Sequence, residues 1–473
     1  MSTVEKLEAA GEVVSAAVRV LLDERDALAV QVAEMREQIR DLQARLGQNS
    51  KNSSHPPSSD PPGVERRKKK PSGLNRGGQQ GHRGHHRSLL PPERVTVEVE
   101  HRPGKCRHCE QSLEGAEEGK PVWRHQVVEL PPIRAEVTEH RMLCLRCPAC
   151  QKLTRAELPA SLRGKSFGPR LSALAGMLMG RFRLARREVR ELMGKVLDVP
   201  PPSLGSTQRI AREVVAALEP AYTEVREAVR QSESARVDET GWKLSGKRHW
   251  LWVAESERAT LFQLGPSRGR SELVRMLGES YGGIVTSDRW SAYGMYTHRQ
   301  LCWAHLVRNL EALLLRGPEA ARFARRGLVL CARLFETMRQ VREGSLRREE
   351  LPTAMKRPQG RFGWLLRCGT RSENRKVASL SAQLLTLWPA LWTFVSHPIE
   401  PTNNSAERAL RKAVLWRKGS FGSQSDDGLR FVERMLTLTE TCRQRGRHPL
   451  DFLADAICAN RSGTPSPKLL PTG

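Results

Sequence analysis

Apolar residues recur near the start of the chain at the spacing of a heptad seam: Val4, Leu7, Val14, Val18, Leu21, Leu28, Val32, Met35, Ile39, Leu42 and Leu46, broken by Gly11 and Arg25. That spacing predicts a long helix over residues 1–47 that pairs with another copy as a coiled coil. The alternative is one amphipathic helix lying on the body of the protein. After Leu46 the pattern stops. Residues 48–92 hold few aliphatic side chains and many Ser, Pro, Gly and Asn, so they cannot bury a core and are predicted to be a flexible linker.

Alternation returns in "VTVEVE" and "QVVELPPIRAEVTEHRMLCLRC", which predicts a small β-rich unit over residues 93–157. Residues 158–230 turn helical in "GPRLSALAGMLMGRFRL", "ARREVRELMGKVLDV" and "SLGSTQRIAREVVAALE". The last two, joined across "PPP", resemble a helix-turn-helix whose second member begins near Ser206, Thr207, Gln208 and Arg209. From residue 231 strands are predicted in "ARVDETGWKLSG", "KRHWLWVAES" and "ATLFQLGPS", followed by a helix, "SELVRMLGES", and a buried strand, "GIVTSD". Three meandering strands, a crossover helix and a fourth strand match the order of a ribonuclease H-like α/β domain, here spanning 231–425. Helical stretches predict an insertion at about 310–400, and residues 426–473 read as a helical tail. The expected fold class is therefore multidomain α+β.

Charge adds a partner to this outline. Lys plus Arg number 78 against 52 Asp plus Glu, giving +26, an excess that points to nucleic acid. Between Val64 and Ser88, Glu65 is the one acid beside Arg66, Arg67, Lys68, Lys69, Lys70, Arg76, Arg83 and Arg87, which suits non-specific phosphate contact. The opening residues carry acids where a secretory leader has a basic end and an apolar core, and no run of about 18 apolar residues occurs. A cytoplasmic protein with no membrane partner is expected. Its ten cysteines then read as thiols or metal ligands rather than disulfides.

Two constellations carry chemistry. Cys106 with Cys109, and Cys147 with Cys150, form two C-x2-C pairs that could complete a tetrahedral shell around a structural Zn2+, with Cys144, His108 or His140 as substitutes. Asp238 on the first strand, Asp288 at the end of the fourth and Glu407 on a later helix are the second. Three carboxylates from distant elements can hold two Mg2+ (or Mn2+) ions roughly 3.5–4 Å apart for phosphodiester chemistry. Glu239 rivals Asp238 but reads as a surface acid. For Glu407 the plainer reading is an i,i+4 pair with Arg411 on an exposed helix.

The motifs "VDETGWKL", "GGIVTSDRWSAY", "CWAHLVRNL", "PTNNSAERALR" and "WRKGSFGSQSDDG" together resemble the transposases of the insertion sequence sixty-six family, of the DDE class. The phrases "NSKNSSHPPSSDPP", "RGGQQGHRGH" and "HPLDFLADAI" extend the likeness over nearly the whole chain. The resemblance implies Asp238, Asp288 and Glu407 as the three catalytic acids. In the C-x2-H pair of Cys302 and His305, it implies a phosphate-contacting or orienting role for His305. Asn403 or Asn404 is expected near the start of the Glu407 helix, with Arg408, Arg411 and Lys412 flanking bound DNA. Arg417 and Lys418 are expected in a DNA-contacting loop, with Asp426 and Asp427 in a turn.

The activity implied is binding of element ends, Mg2+-dependent cleavage and strand transfer into target DNA. The heptad seam implies a homo-oligomer, and accessory proteins of the same element and a nucleoid-associated, bacterial-type location follow from the resemblance. Two other functions fit the same residues: a non-catalytic zinc-dependent DNA-binding regulator, and a nuclease of the same fold that cuts without joining.

Overall fold

The computed structural model describes residues 3–46, 87–117 and 123–470. The linker predicted at 48–92, with most of its basic run, lies outside the described residues up to 86. Helix α1 (Thr3–Leu46) is continuous. Its described seam residues, among them Leu21, Leu28, Met35, Ile39 and Leu42, are exposed.

The chain divides into two compact units, one drawn from residues 65–138 with 191–201, the other from 1–64, 139–190 and 202–473. In the smaller unit, the Gln126 side chain accepts from Leu90 N–H at 2.7 Å and donates to its carbonyl at 3.0 Å. Lys105 and Ser112 form an isolated bridge around the first cysteine pair. The β-rich module expected over 93–157 is not what forms: its described strands are β1 (Cys144–Arg146) and β2 (Leu153–Arg155), a short antiparallel hairpin of the larger unit. The alternating stretches at 95–100 and 123–138 are irregular, and their valines (Val97, Val99, Val127, Val137) are exposed. Alternation makes a strand only where a partner edge and an apolar layer receive it, and these residues have neither.

The larger unit continues with α2 (Pro169–Gly180), α3 (Arg186–Lys195), which runs on into the smaller unit, and α4 (Leu204–Arg230). The expected short second helix is the first part of α4, which is 27 residues long. The Ser203 side chain caps it through Ser206 N–H at 3.0 Å. Val214, Leu218, Val225 and Val229 line its buried face.

The sheet follows, built from β3 (Ser234–Leu244), β4 (Lys247–Glu255), β5 (Thr260–Gly265), β6 (Ile284–Ser287) and β7 (Arg299–Leu301), with α5 (Arg270–Leu277) crossing between β5 and β6. Strand order is β5-β4-β3-β6-β7. The first two pairings are antiparallel, and the β3–β6 and β6–β7 pairings are parallel. Strands β3 and β6 are thus neighbours, and their parallel register, with Arg236 opposite Thr286, sets Asp238 in the middle of β3 level with Asp288 just past β6.

Next come α6 (Trp303–Leu313), α7 (Pro318–Arg342), α8 (Leu351–Gly369), α9 (Arg375–Thr386) and two single turns, α10 (Trp388–Leu391) and α11 (Thr393–Ser396). They share a core around Trp303, Phe362, Trp388, Trp392 and Phe394, with neighbouring ring centres 5.0–6.5 Å apart. The indole of Trp303 donates to the Leu391 carbonyl at 2.8 Å, which returns the helical segment to the end of the sheet.

The chain then enters α12 (Asn404–Ser420), α13 (Asp426–Arg445) and α14 (Pro449–Ser462). Helix α12 packs on β3 and β4, and α13 lies along the edge strand β5. There the N–H groups of Thr260, Phe262 and Leu264 donate to side chains of Thr441, Thr437 and Glu433. Helix positions four apart rise about 6 Å, close to the ~6.7 Å between alternate strand residues. One helix face therefore satisfies an edge that would otherwise invite another strand. Between α12 and α13, Ser423 pairs with the end of β3, donating to Lys243 O at 2.9 Å. Gly422 is needed there: it adopts φ +112°, and a Cβ on it would meet the Lys243 carbonyl at 2.4 Å.

Candidate active site

Asp238 lies in β3, Asp288 one residue past β6, and Glu407 in the first turn of α12. The peptide groups beside them are stitched together. Cys302 N–H donates to Ser287 O at 2.8 Å, and the Cys302 sulfur accepts Asn403 N–H at 3.4 Å. The Asn403 side chain donates to Val237 O at 3.3 Å, and its carbonyl accepts Glu407 N–H at 3.1 Å. Each acid is thus within a few residues of one hydrogen-bonded chain. Asn403 holds the expected position before α12, but its side chain makes no cap. Its buried amide reaches the strand instead, and its Oδ1 has no partner among the described residues.

The charges of the other acids reach Asp238. Burial, then the charges of Glu239, Glu407 and Asp288, push the Asp238 carboxyl well above its ordinary value. Asp238 makes no ion pair among the described residues. Glu407 is held by Arg308 Nη2, at 2.8 and 3.2 Å from its two oxygens, while His305 Nε2 lies 3.6 Å away. The plainer reading, a Glu407–Arg411 surface pair, is not what forms: one turn on, Arg411 points into solvent. Burial lowers the His305 pKa against the opposing pull of Glu407. His305 Nδ1 is buried without a partner. Asp288 accepts Trp290 N–H at 2.8 Å, and Arg289 donates to Asn309 at 3.0 Å and Gln383 at 2.7 Å, tying this end of the sheet to the helical segment.

Glu239 is not the surface acid expected from its neighbours. Its side chain is 2% exposed, bonded to Arg268 Nε at 2.6 Å and to the Tyr293 hydroxyl. Burial raises its pKa, with Tyr293 opposing. Cys302 is buried at the start of α6, and desolvation lifts its thiol to about 11, so it acts as a packing and hydrogen-bonding group.

Arg408, Arg411 and Lys418 are exposed along one stripe of α12. Lys412 turns the other way, to buried Glu440. Arg417 and Lys418 lie in the last turn of α12 rather than a loop, and Arg417 donates to Thr240 Oγ1 at 3.1 Å and to the Gly241 carbonyl. Asp426 and Asp427 lie in the first turn of α13 rather than before it, and Asp427 pairs with Arg212 at 2.8 Å.

The two cysteine pairs have like local builds. Cys106 N–H donates to Gln111 O and Cys106 O accepts Glu110 N–H, while Cys147 N–H donates to Lys152 O and Cys147 O accepts Gln151 N–H. The residue after each second cysteine, Glu110 or Gln151, is left-handed, with φ 57° and 60°. Amides within the turns lower the first thiol of each pair, those of His108 and Cys109 at Cys106, and those of Cys150 and Ala149 at Cys147. Among the described residues no three or more His, Cys, Asp or Glu side chains are gathered closely enough to hold a metal ion.

Arg308, Tyr293, Arg268 and the strand-binding role of Asn403 escaped sequence reasoning. Arg308 had a signal: it follows His305 by three, on the same face of α6.

Residues 203–430, just under half of the chain, match the family described as Transposase IS66 family. Residues 3–88 match a second description, Family of unknown function (DUF6444). The chain is similar to uncharacterized protein y4qI of Sinorhizobium fredii (strain NBRC 101917 / NGR234), 28% identical over 52% of this chain and 51% of that protein. It is also similar to uncharacterized protein y4hP of the same organism, 24% identical over 77% of this chain and 71% of that one. The chain thus spans about half the length of y4qI. No helix among the described residues is long and apolar enough to cross a membrane.

Proposed function

We propose that the chain cleaves DNA at the ends of a mobile element and joins the freed 3′-hydroxyl to target DNA, with Asp238, Asp288 and Glu407 as the catalytic acids. The reading rests most on one observation: the β3–β6 register and the Cys302–Ser287, Cys302–Asn403 and Asn403–Val237 hydrogen bonds join the three segments that carry these acids. Asp238 is a buried carboxylate with no cationic partner among the described residues, the kind of oxygen a hard divalent cation takes as a ligand. In this structure the acids are not gathered closely enough to hold an ion and would have to draw together around it. Asp238, Asp288 and Glu407 would hold Mg2+, which would supply activation of the attacking oxygen and stabilisation of the leaving one. Arg308 and His305 fix the Glu407 carboxylate, and the Cys302–Asn403 bonds fix the strand ends. The exposed Arg408, Arg411 and Lys418 stripe offers cations to the DNA backbone, and α1 offers a seam for a second copy. The sheet order is the basis for assigning a ribonuclease H-like catalytic domain. The two cysteine turns, one in each unit, have the build of a thiolate metal-binding turn, and zinc analysis of the purified chain and of Cys109→Ser tests whether they take up Zn2+.

Incubation of the chain with labelled element-end DNA, target DNA and Mg2+ tests the activity. Nicked and joined products are expected, and Glu407→Gln should abolish both. Cleavage without joining would leave a nuclease. DNA binding with no product under any divalent cation would leave a regulator.

A further inference from the structure

Beside the acids, guanidinium and indole groups alternate across the sheet. The Arg248 guanidinium lies 4.9 Å from the centre of the Trp250 ring, and Arg268 lies 5.1 Å from Trp250 and 4.3 Å from Trp290. Their order in space is Arg248, Trp250, Arg268, Trp290. Arg268 is fixed by its 2.6 Å bond to Glu239. Trp290 is fixed at both ends, its backbone N–H on Asp288 Oδ1 at 2.8 Å and its indole N–H on Arg268 O at 3.0 Å. Even so, 39% of Trp290 is exposed.

Rings are exposed elsewhere in the chain, as at Trp364 and Phe421, but Trp290 is tied at both ends beside the acids. It is pinned outward, two residues from Asp288, with a cation behind it. An aromatic face next to positive charge suits the face of a nucleobase joined to a phosphate backbone. Bases within a duplex present only their edges in the grooves, so a base reaching this ring must be unpaired. We propose that Trp290, backed by Arg268, is a stacking site for one unpaired base of the DNA strand whose phosphodiester lies at Asp238, Asp288 and Glu407. This rests on the DNA-cleaving reading above and adds to it the state of the substrate beside the scissile bond.

The test uses the full chain and an oligo-thymidine strand carrying one 2-aminopurine, with Ca2+ replacing Mg2+. Stacking quenches the probe, so wild type and Trp290→Phe should quench it, while Trp290→Ala should not and should bind the strand about tenfold more weakly. A blunt duplex with the probe paired should show little of the Trp290-dependent change. Glu407→Gln, which removes the chemistry, should leave the quenching in place. Equal quenching by Trp290→Ala and wild type, or none by wild type, overturns the stacking site. Quenching in a protein that never cleaves DNA overturns the catalytic reading and leaves this one standing. Trp290→Phe separates stacking from lost packing, since a ring of any kind restores the former.

Discussion

Asp238 is the side chain whose environment most demands a partner the polypeptide does not supply. Burial and the negative charge of Glu239, Glu407 and Asp288 all act against its ionised form. Asp238→Asn should therefore raise the unfolding temperature in EDTA while reducing DNA cleavage by more than the ~100-fold typical of a lost outer-shell group. Scanning calorimetry and a cleavage assay on the same preparation check the two signs together. Glu433 shows the effect without catalysis. Burial lifts its carboxyl to about 7, against the Leu264 N–H it accepts and the nearby Arg275 and Arg430, with Glu272 adding to the rise. A folded pKa above the ordinary 4.5 means the folded state holds its proton more tightly. The stability this contributes is complete below 4.5 and is lost as pH rises through about 7. Glu433→Gln, which cannot ionise, should thus melt a few degrees above wild type at pH 8 and lose that advantage near pH 4, as unfolding curves across that range will show.

Among the elements, the acids are registered by hydrogen bonds between segments far apart in sequence. Asn403→Ala removes the bond to Val237 O and should cost about 1–3 kcal/mol of stability. It should also lower divalent-metal affinity by about 10–100-fold, the range for outer-shell groups, while leaving DNA affinity unchanged. Calorimetric metal titration and a mobility-shift assay separate the two. Strands β3 to β6 with their crossover helix were legible because their alternation and turn residues are local signals. Strand β7 was not: three residues, Arg299–Leu301, leave no period to read. The α13 cover over β5 was hidden too, since nothing along the chain says that Thr437 and Thr441 face backbone N–H groups rather than core. Of the candidate site, the placement of Asp238 on a strand, Asp288 past a strand end and Glu407 at the start of a helix was readable. The burial of Glu239 and the hold of Arg308 on Glu407 were not, since both depend on partners 29 and 99 residues away. The valine alternation before the cysteine turns misled because period alone cannot say whether a second edge exists.

For the molecule as a whole, a net charge of +26 and an exposed apolar seam on α1 set the expected associations. Leu28→Glu with Ile39→Glu places charge in that seam and should halve the mass found by light scattering; an unchanged mass would show that α1 is not the joining surface. Arg408→Ala and Arg411→Ala should each reduce the slope of log affinity against log salt by about 1, for specific and non-specific DNA alike.

The most direct test of three carboxylates acting on a shared cation is titration of the chain with Mn2+, followed by electron paramagnetic resonance. Wild type should take up Mn2+ that Mg2+ displaces, and Asp238→Asn, Asp288→Asn and Glu407→Gln should each release it. Binding that survives all three substitutions, or none in wild type with DNA present, would contradict the account.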